Sequence, residues 1–395
     1  MVKGKAYMTF KPGVDRIEYG GVMLGQEEKD AIWRVIESQG GKRWTIGPES
    51  VALEKELAET TGVKRAVLTN SGSSALLVAM TALHLPKGSK VIIPAVNFPT
   101  AFNAILQCGC IPVVVDVDLK TLNIDLLEVQ RAIEEHPDIK AVIAVDIAGN
   151  PADLVLLRNI VGFERKIILD DCDGYGTTLH GEFIETYADV ACVSFHAAHI
   201  ISMGEGGAVL TDDEGLANRA LKIREWGRAS GTDKIYKYPG FPDDYKERYV
   251  YEEIGYNVKP LELQCAMGRV QLKRLQEFKD ARRRNFKHLM EVLRTTMFSF
   301  VSSYTFADPC WFSFPLLCKG NRKQVMETFE KNNIECRTIF SGNILRHPAY
   351  RDVEHIQIGT LDNADVVMHE GMFLSVHPSL TPEMIEYIGE VARSI

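Results

Sequence analysis

Lys166-Ile167-Ile168-Leu169-Asp170-Asp171-Cys172-Asp173 is a short apolar run that stops on carboxylates. A run that is apolar at every position, rather than every second one, marks a strand covered on both faces. The same signature recurs on either side of it. Ala66–Thr69, Val91–Ile93, Ile111–Val115, Ala141–Val145, Ile167–Asp170, Val190–Phe195 and Ala208–Thr211 are each separated by segments of helix length. Seven such strands predict a mainly parallel sheet with helices on both faces. Several end in polar residues, namely Thr69-Asn70, Asp146 and Asp170-Asp171. Ligands of open α/β sheets gather at the carboxyl ends of the strands.

Beyond the sheet, residues 213–235 and 260–295 carry helical periodicity, and Lys279-Asp280-Ala281-Arg282-Arg283-Arg284 reads as a solvated helix face. Tyr236 to Tyr251, rich in Tyr, Pro and Asp, reads as a long loop. A strand at Trp311–Leu317, a helix from Arg322 to Lys331 and a last helix opened by Thr381-Pro382 predict a smaller C-terminal α+β domain. The expected organisation is an N-terminal segment (1–48), a large α/β domain (49–275) and a small domain (276–395).

Composition narrows the function classes. The 395 residues are 46% hydrophobic and carry a net charge of −8. That balance argues against nucleic acid or an anionic membrane as a partner. The first residues lack the apolar stretch of a signal sequence, and no run reaches the length of a membrane span, so a cytoplasmic location is expected. The eight cysteines are scattered and read as buried small apolar residues rather than a disulfide framework.

Asn70-Ser71-Gly72-Ser73-Ser74 follows the first strand and precedes an apolar helix. Unpaired amides, hydroxyls and the positive end of the helix dipole suit a phosphate there, although a plain serine N-cap gives the same letters. Asp170 at a strand end suits a metal, a protonated heterocyclic nitrogen or ordinary capping. Ser194-Phe195-His196-Ala197-Ala198-His199 leads into Gly204-Glu205-Gly206-Gly207. A zinc site on Cys192 and His196 needs an irregular backbone to bring the two together, and no metal is expected.

The order of these features is more specific than any one of them: phosphate turn, Asn97-Phe98-Pro99-Thr100, strand-end Asp170, polar turn, glycine-rich strand. With Trp44-Thr45-Ile46-Gly47-Pro48 and Gly255-Tyr256-Asn257, it resembles the DegT/DnrJ/EryC1/StrS sugar aminotransferases of the pyridoxal-phosphate (PLP) fold type I, from about Tyr19 to the C-terminus. The resemblance implies that Gly72, Ser73 and Ser194 hold the cofactor phosphate, Phe98 stacks on the pyridine ring and Asp170 pairs with its nitrogen. Asp173 would sit near the ring hydroxyl, where the family usually has Gln. Asn257 would reach the phosphate of a neighbouring subunit, which implies a homodimer with shared sites.

One departure decides between branches of the family. The sixth residue of the Ser194-Phe195 motif is lysine in the aminotransferases, and here it is His199, with no lysine between Lys166 and Lys222. Histidine forms no stable imine with an aldehyde, yet it moves protons near neutral pH. The pattern resembles the sugar 3-dehydratases, in which the cofactor is held non-covalently as pyridoxamine phosphate. Trp226-Gly227-Arg228, Asp308-Pro309-Cys310-Trp311-Phe312 and Phe340-Ser341-Gly342-Asn343 fit that subgroup, and Lys259 stands where aminotransferases often carry Arg. Residues 229–257 lack cysteine, so no iron–sulfur cluster is expected, and the likeness leans to the iron-free GDP-4-keto-6-deoxymannose 3-dehydratases. The implied reaction removes the 3-hydroxyl of a nucleotide-linked 4-keto-6-deoxy sugar, with His199 as base, glutamate as amino donor and ammonia released. Arg228 is a candidate sugar-nucleotide contact, and Arg337 and Arg346 are candidates for the donor carboxylate. An aminotransferase acting on another nucleotide sugar, or a silent sensor or scaffold on the same fold, are the competing readings.

Overall fold

The computed structural model describes residues 10–39, 42 and 44–395; of the expected N-terminal segment, residues 1–9, 40, 41 and 43 lie outside the described residues. The strands of the first half are β1 (Arg65–Thr69), β2 (Lys90–Pro94), β3 (Ile111–Val115), β4 (Ala141–Val145) and β5 (Lys166–Asp170). A small hairpin follows, β6 (Thr178–Leu179) and β7 (Glu182–Phe183), and then β8 (Val190–Ser194) and β9 (Gly207–Thr211). The C-terminal part adds β10 (Ser299–Phe300), β11 (Ala307–Asp308), β12 (Ser313–Leu317), β13 (Arg337–Thr338), β14 (Ile356–Gln357) and β15 (Gly371–Ser375).

The large sheet has the order β1-β9-β8-β5-β4-β2-β3-β14. Its strand pairs are parallel except those of β9, which runs antiparallel to both β1 and β8. All seven expected strands are present. The eighth, β14, is only two residues long, too short to leave a periodic signal in the sequence, and it comes from the C-terminal part to pair with β3.

Side chains alternate between the two faces, and both are buried. Val67, Ile93, Ile143, Ile168 and Val209 pack on one side, and Leu68, Ile92, Val142, Leu169 and Leu210 on the other. The helices before the middle of the chain are α1 (Gln26–Gln39), α2 (Pro48–Thr61), α3 (Gly72–Ala82), α4 (Pro99–Gln107), α5 (Leu126–Glu135) and α6 (Leu154–Val161). Those after it are α7 (Glu214–Arg224), α8 (Glu262–Lys273), α9 (Leu275–Leu293), α10 (Arg322–Lys331), α11 (Asp362–Glu370) and α12 (Pro382–Arg393). The first face is covered by α3, α4 and α7, the second by α2, α5, α6 and α8. A second sheet, β10-β12-β15-β13, buries Phe314, Leu316, Met372 and Leu374 against α9, α10 and α12. The third sheet, β11-β6-β7, joins the small hairpin to the C-terminal part.

Two expectations are corrected. Helical periodicity continues to residue 235, but α7 stops at Arg224 because Trp226 takes φ +62°, a left-handed conformation that no α-helix accommodates. Second, the charged run of α9 is not wholly solvated, since Arg282 is 1% exposed and Lys279 is buried. Each long stem crosses apolar surface to a buried carbonyl: Lys279 donates to Gly176 O at 2.8 Å and Arg282 to Phe312 O at 2.9 Å.

Candidate active site

The carboxyl ends of β1, β4, β5 and β8 converge on a cavity of about 470 Å³. Gly72, Ser73, Phe98, Asp170, Asp173, Ser194, His199 and Arg337 all line it. Arg228, Asn257 and Arg346 do not line it. The structure therefore brings eight of the eleven candidates together.

The turn after β1 is built by its own hydroxyls. Ser71 caps α3, its Oγ accepting from Ser74 N at 3.1 Å, and Ser74 Oγ donates to Asn70 Oδ1 at 2.7 Å. The first amides of α3 then point outward at the positive end of its dipole. Gly72 is packed so tightly that a β-carbon on it would lie 2.7 Å from both Ser194 Cβ and Cys172 Sγ. Gly207 is needed for the same reason, since its β-carbon would lie 2.6 Å from Gly72 N. The glycine-rich approach to β9 thus holds Ser194 against the turn, and the first amides of α3 with the Ser73 and Ser194 hydroxyls are grouped in a way that suits a bound anion.

Asp170 ends β5 and is 3% exposed. Burial pushes its carboxyl above the usual carboxylate range, opposed only by hydrogen bonds from Cys172, whose amide donates to Oδ1 at 3.3 Å. A protonated ring nitrogen set against it supplies the missing counter-charge. Phe98, the N-terminal cap of α4, is half-exposed over the cavity and meets Phe340 edge-on at 6.1 Å. A grouping suited to an anion, a buried carboxylate lacking a cation and an exposed aromatic face fit a phosphorylated, protonated heterocycle.

His199 lies opposite, 16% exposed by side chain, with its ring edge-on to Phe312 and to His196, both at 5.4 Å. Its Nε2 is 3.8 Å from Asp173 Oδ1, and Asp173 Oδ2 accepts from Ala148 N at 3.2 Å. Burial, with further repulsion from His196 and Arg282, pulls the imidazole down to about 3, so it is neutral at physiological pH. Burial and the neighbouring Asp170 push Asp173 up to about 8, and Ala148 N and Arg282 only partly oppose this. Asp173 so held is an uncharged acid and does not raise the histidine. Arg282 stands behind the pair, donating to Phe312 O and reaching His199 O at 3.4 Å.

On the C-terminal side, Arg337 lies over the Tyr19 ring at 4.8 Å and pairs with Glu335. Arg346 is instead bound by both oxygens of Asp365, at 2.9 and 2.6 Å. Of the two carboxylate-binding candidates, only Arg337 faces the cavity. Arg228 and Lys259 both sit on the Trp226 ring, at 4.3 and 3.3 Å, and Lys259 donates to Asn257 Oδ1 at 2.6 Å. No lysine is among the described residues that line the cavity. Tyr19 and Arg282 belong to the site or its wall without any local sequence signal, because they arrive from distant segments, whereas Glu205, Phe312 and Phe340 lie within motifs quoted above and were not singled out. Among the described residues, no three His, Cys, Asp or Glu side chains converge as metal ligands, and no helix is long and apolar enough to cross a membrane. All eight cysteines are free thiols, six of them buried.

The profile of the DegT/DnrJ/EryC1/StrS aminotransferase family matches residues 25–393. Lipopolysaccharide biosynthesis protein RfbH of Salmonella typhimurium is 34% identical over 96% of this chain and 91% of its own length. The dTDP-4-dehydro-2,6-dideoxy-D-glucose 3-dehydratase of Saccharopolyspora spinosa is 34% identical over 97% of this chain and 87% of its own. Among solved structures, E. coli GDP-4-keto-6-deoxy-D-mannose 3-dehydratase with bound hydrated PLP superposes with a TM-score of 0.88 at 30% identity, covering 96% of this chain and 100% of that one. The chain belongs to the DegT/DnrJ/EryC1/StrS aminotransferase family and has its PLP-dependent transferase fold.

Proposed function

We propose that this family member is a PLP/pyridoxamine-phosphate-dependent 3-dehydratase of a nucleotide-linked 4-keto-6-deoxy sugar. The observation that carries the reading is His199 in a cavity with no lysine among its described lining residues. Relatives named as sugar 3-dehydratases, on GDP and on dTDP sugars, support the reaction class and leave the nucleotide open.

Bound in the cavity, the cofactor supplies an amino group and a conjugated ring that accepts an electron pair. The N-terminus of α3, Ser73 and Ser194 hold its phosphate, and Phe98 covers the ring. Asp170 keeps the ring nitrogen protonated. His199, neutral at physiological pH, accepts a proton at Nε2, and its conjugate acid assists departure of the 3-hydroxyl. Arg337 binds the carboxylate of glutamate, the amino donor. Nucleotide sugar enters past Arg228.

The active form in this reading is a homodimer. Asn257 lies outside the cavity of its own chain, and the segment before it exposes the large apolar side chains of Tyr238, Tyr249, Tyr251 and Ile254. A partner subunit covering those side chains brings Asn257 to the neighbouring phosphate site.

The deciding experiment adds PLP to purified protein, then glutamate, then GDP- or dTDP-linked 4-keto-6-deoxy sugar, and assays ammonia. Release of one ammonia per 3-deoxy sugar formed supports the reading. An amino sugar retained as product overturns it in favour of transamination.

A further inference from the structure

We infer that Asp173 is the proton partner of His199, and that the two side chains work as one dyad holding a single proton between them. The inference deepens the proposed function and rests on it for its catalytic meaning. Its geometry stands alone. Asp173 follows β5, His199 follows β8, and these strands are neighbours in the sheet, so the two turns face each other across the cavity floor. Nε2 and Oδ1 lie 3.8 Å apart with both side chains largely buried, at 16% and 8% exposure. The other carboxylate oxygen is already held by Ala148 N, which fixes the carboxyl in place. With the carboxyl held, turning the His199 ring is the movement that would close that gap to a hydrogen bond.

The groups around the dyad are Asp170 and Cys172 at the end of β5, His196 in the same turn as His199, and Arg282 from α9. Glu205 stands 3.9 Å from His196 on its outer side. Asp170 and burial favour a proton on Asp173, and Arg282 and His196 disfavour a charge on His199. The resting dyad is therefore carboxylic acid beside neutral imidazole.

During the reaction the dyad takes a second proton, when Nε2 removes it from carbon and the C–H bonding pair stays with the carbon framework. It returns to one proton when the C3–O bond breaks, the bonding pair leaves with oxygen and the dyad protonates that oxygen to water. Asp173 is a positioning residue in this scheme. At 3.8 Å its uncharged carboxyl leaves the Nε2 lone pair free to take the proton, and it acts through His199 by setting the protonation state of the pair.

The test is nitrogen NMR of the full chain labelled at histidine, with His199→Asn used to assign the ring. In the native protein the His199 ring signals should show an inflection near pH 8, the point to which Asp173 is pushed. Asp173→Asn should abolish that inflection and the matching alkaline limb of ammonia release. Asp173→Glu should restore both in part, and it carries the same reading if the Asn variant does not fold. Native His199 signals flat from pH 7 to 9, or an inflection that persists in Asp173→Asn, overturn the inference. Because the NMR arm needs no substrate, a protein that shows the inflection but releases no ammonia keeps the dyad and refutes the dehydratase reading instead.

Discussion

Gly72 faces Ser194 with no room for a side chain: a β-carbon there would come within 2.7 Å of the Ser194 Cβ, which is fixed at the carboxyl end of β8. Overpacking of this kind costs about 1–3 kcal/mol when neighbours must shift. Gly72→Ala should therefore weaken PLP binding at least tenfold while leaving far-UV circular dichroism unchanged. Fluorescence titration with PLP checks it, and an unchanged affinity removes the turn from the phosphate site.

His199→Asn shortens the side chain to a neutral amide and removes its basicity. PLP affinity should stay within a few-fold, and ammonia release should fall by roughly 10²–10⁴. Near-normal turnover would falsify the assignment of His199 as the base. In the native protein, borohydride should leave no reduced pyridoxyl adduct on any lysine, read by peptide mass spectrometry.

Arg337 and Arg346 have the same chemistry and opposite settings. Arg337 looks into the cavity and Arg346 is engaged by Asp365. Charge-assisted bonds to a carboxylate are worth more than neutral ones. Arg337→Ala should raise the KM for glutamate roughly 10- to 100-fold, whereas Arg346→Ala should leave it unchanged and shift the melting temperature only slightly. The reverse pattern would reassign the donor site.

In the proposed homodimer, a phosphate site completed by Asn257 of a second chain would make the two sites interdependent. Asn257→Ala and His199→Asn should each be nearly inactive alone. Mixed and reassociated in equal amounts, they should recover roughly a quarter of native activity, because half the dimers then hold one intact site. No recovery after demonstrated subunit exchange places Asn257 in its own chain's chemistry.

The sequence carried the sheet and the turn after β1 because both are local. A continuous apolar run is a buried strand wherever it lands, and a Gly/Ser turn before an apolar helix presents amides whatever surrounds it. His199 was legible only through the motif that contains it. What stayed hidden depends on separation in the chain. The approach of Asp173 to His199 follows from β5 and β8 being neighbours, which neither segment encodes alone. Arg282 lay within a charged run that reads as solvent-facing, and only the packing of α9 shows that this one guanidinium turns inward. Arg346 read as a free candidate for the donor carboxylate, and the carboxylate that engages it, Asp365, comes from α11.

Beneath the site, Asp146, Asp171 and Glu185 are buried together, each pushed upward chiefly by burial, with Glu185 at about 7. Glu185 raised from its ordinary 4.5 contributes stability that is complete below about pH 4.5 and is lost as pH rises through 7. His377 has the opposite sign. Burial lowers it from 6.5 to about 4, so its contribution is complete above pH 6.5 and is lost as pH falls through 4. Each shifted group changes stability by up to roughly 1.4 kcal/mol per pH unit inside its window. Urea unfolding from pH 4 to 9 separates them. Glu185→Gln, a neutral match for the protonated acid, should remove part of the decline between pH 4.5 and 7 and raise stability at pH 8 relative to native. His377→Gln should flatten the decline between 6.5 and 4 and leave the alkaline side alone. If Glu185→Gln is less stable than native at pH 8 by the same margin as at pH 5, Glu185 is ionised in the folded protein at both, and its assignment as an acid raised to about 7 fails.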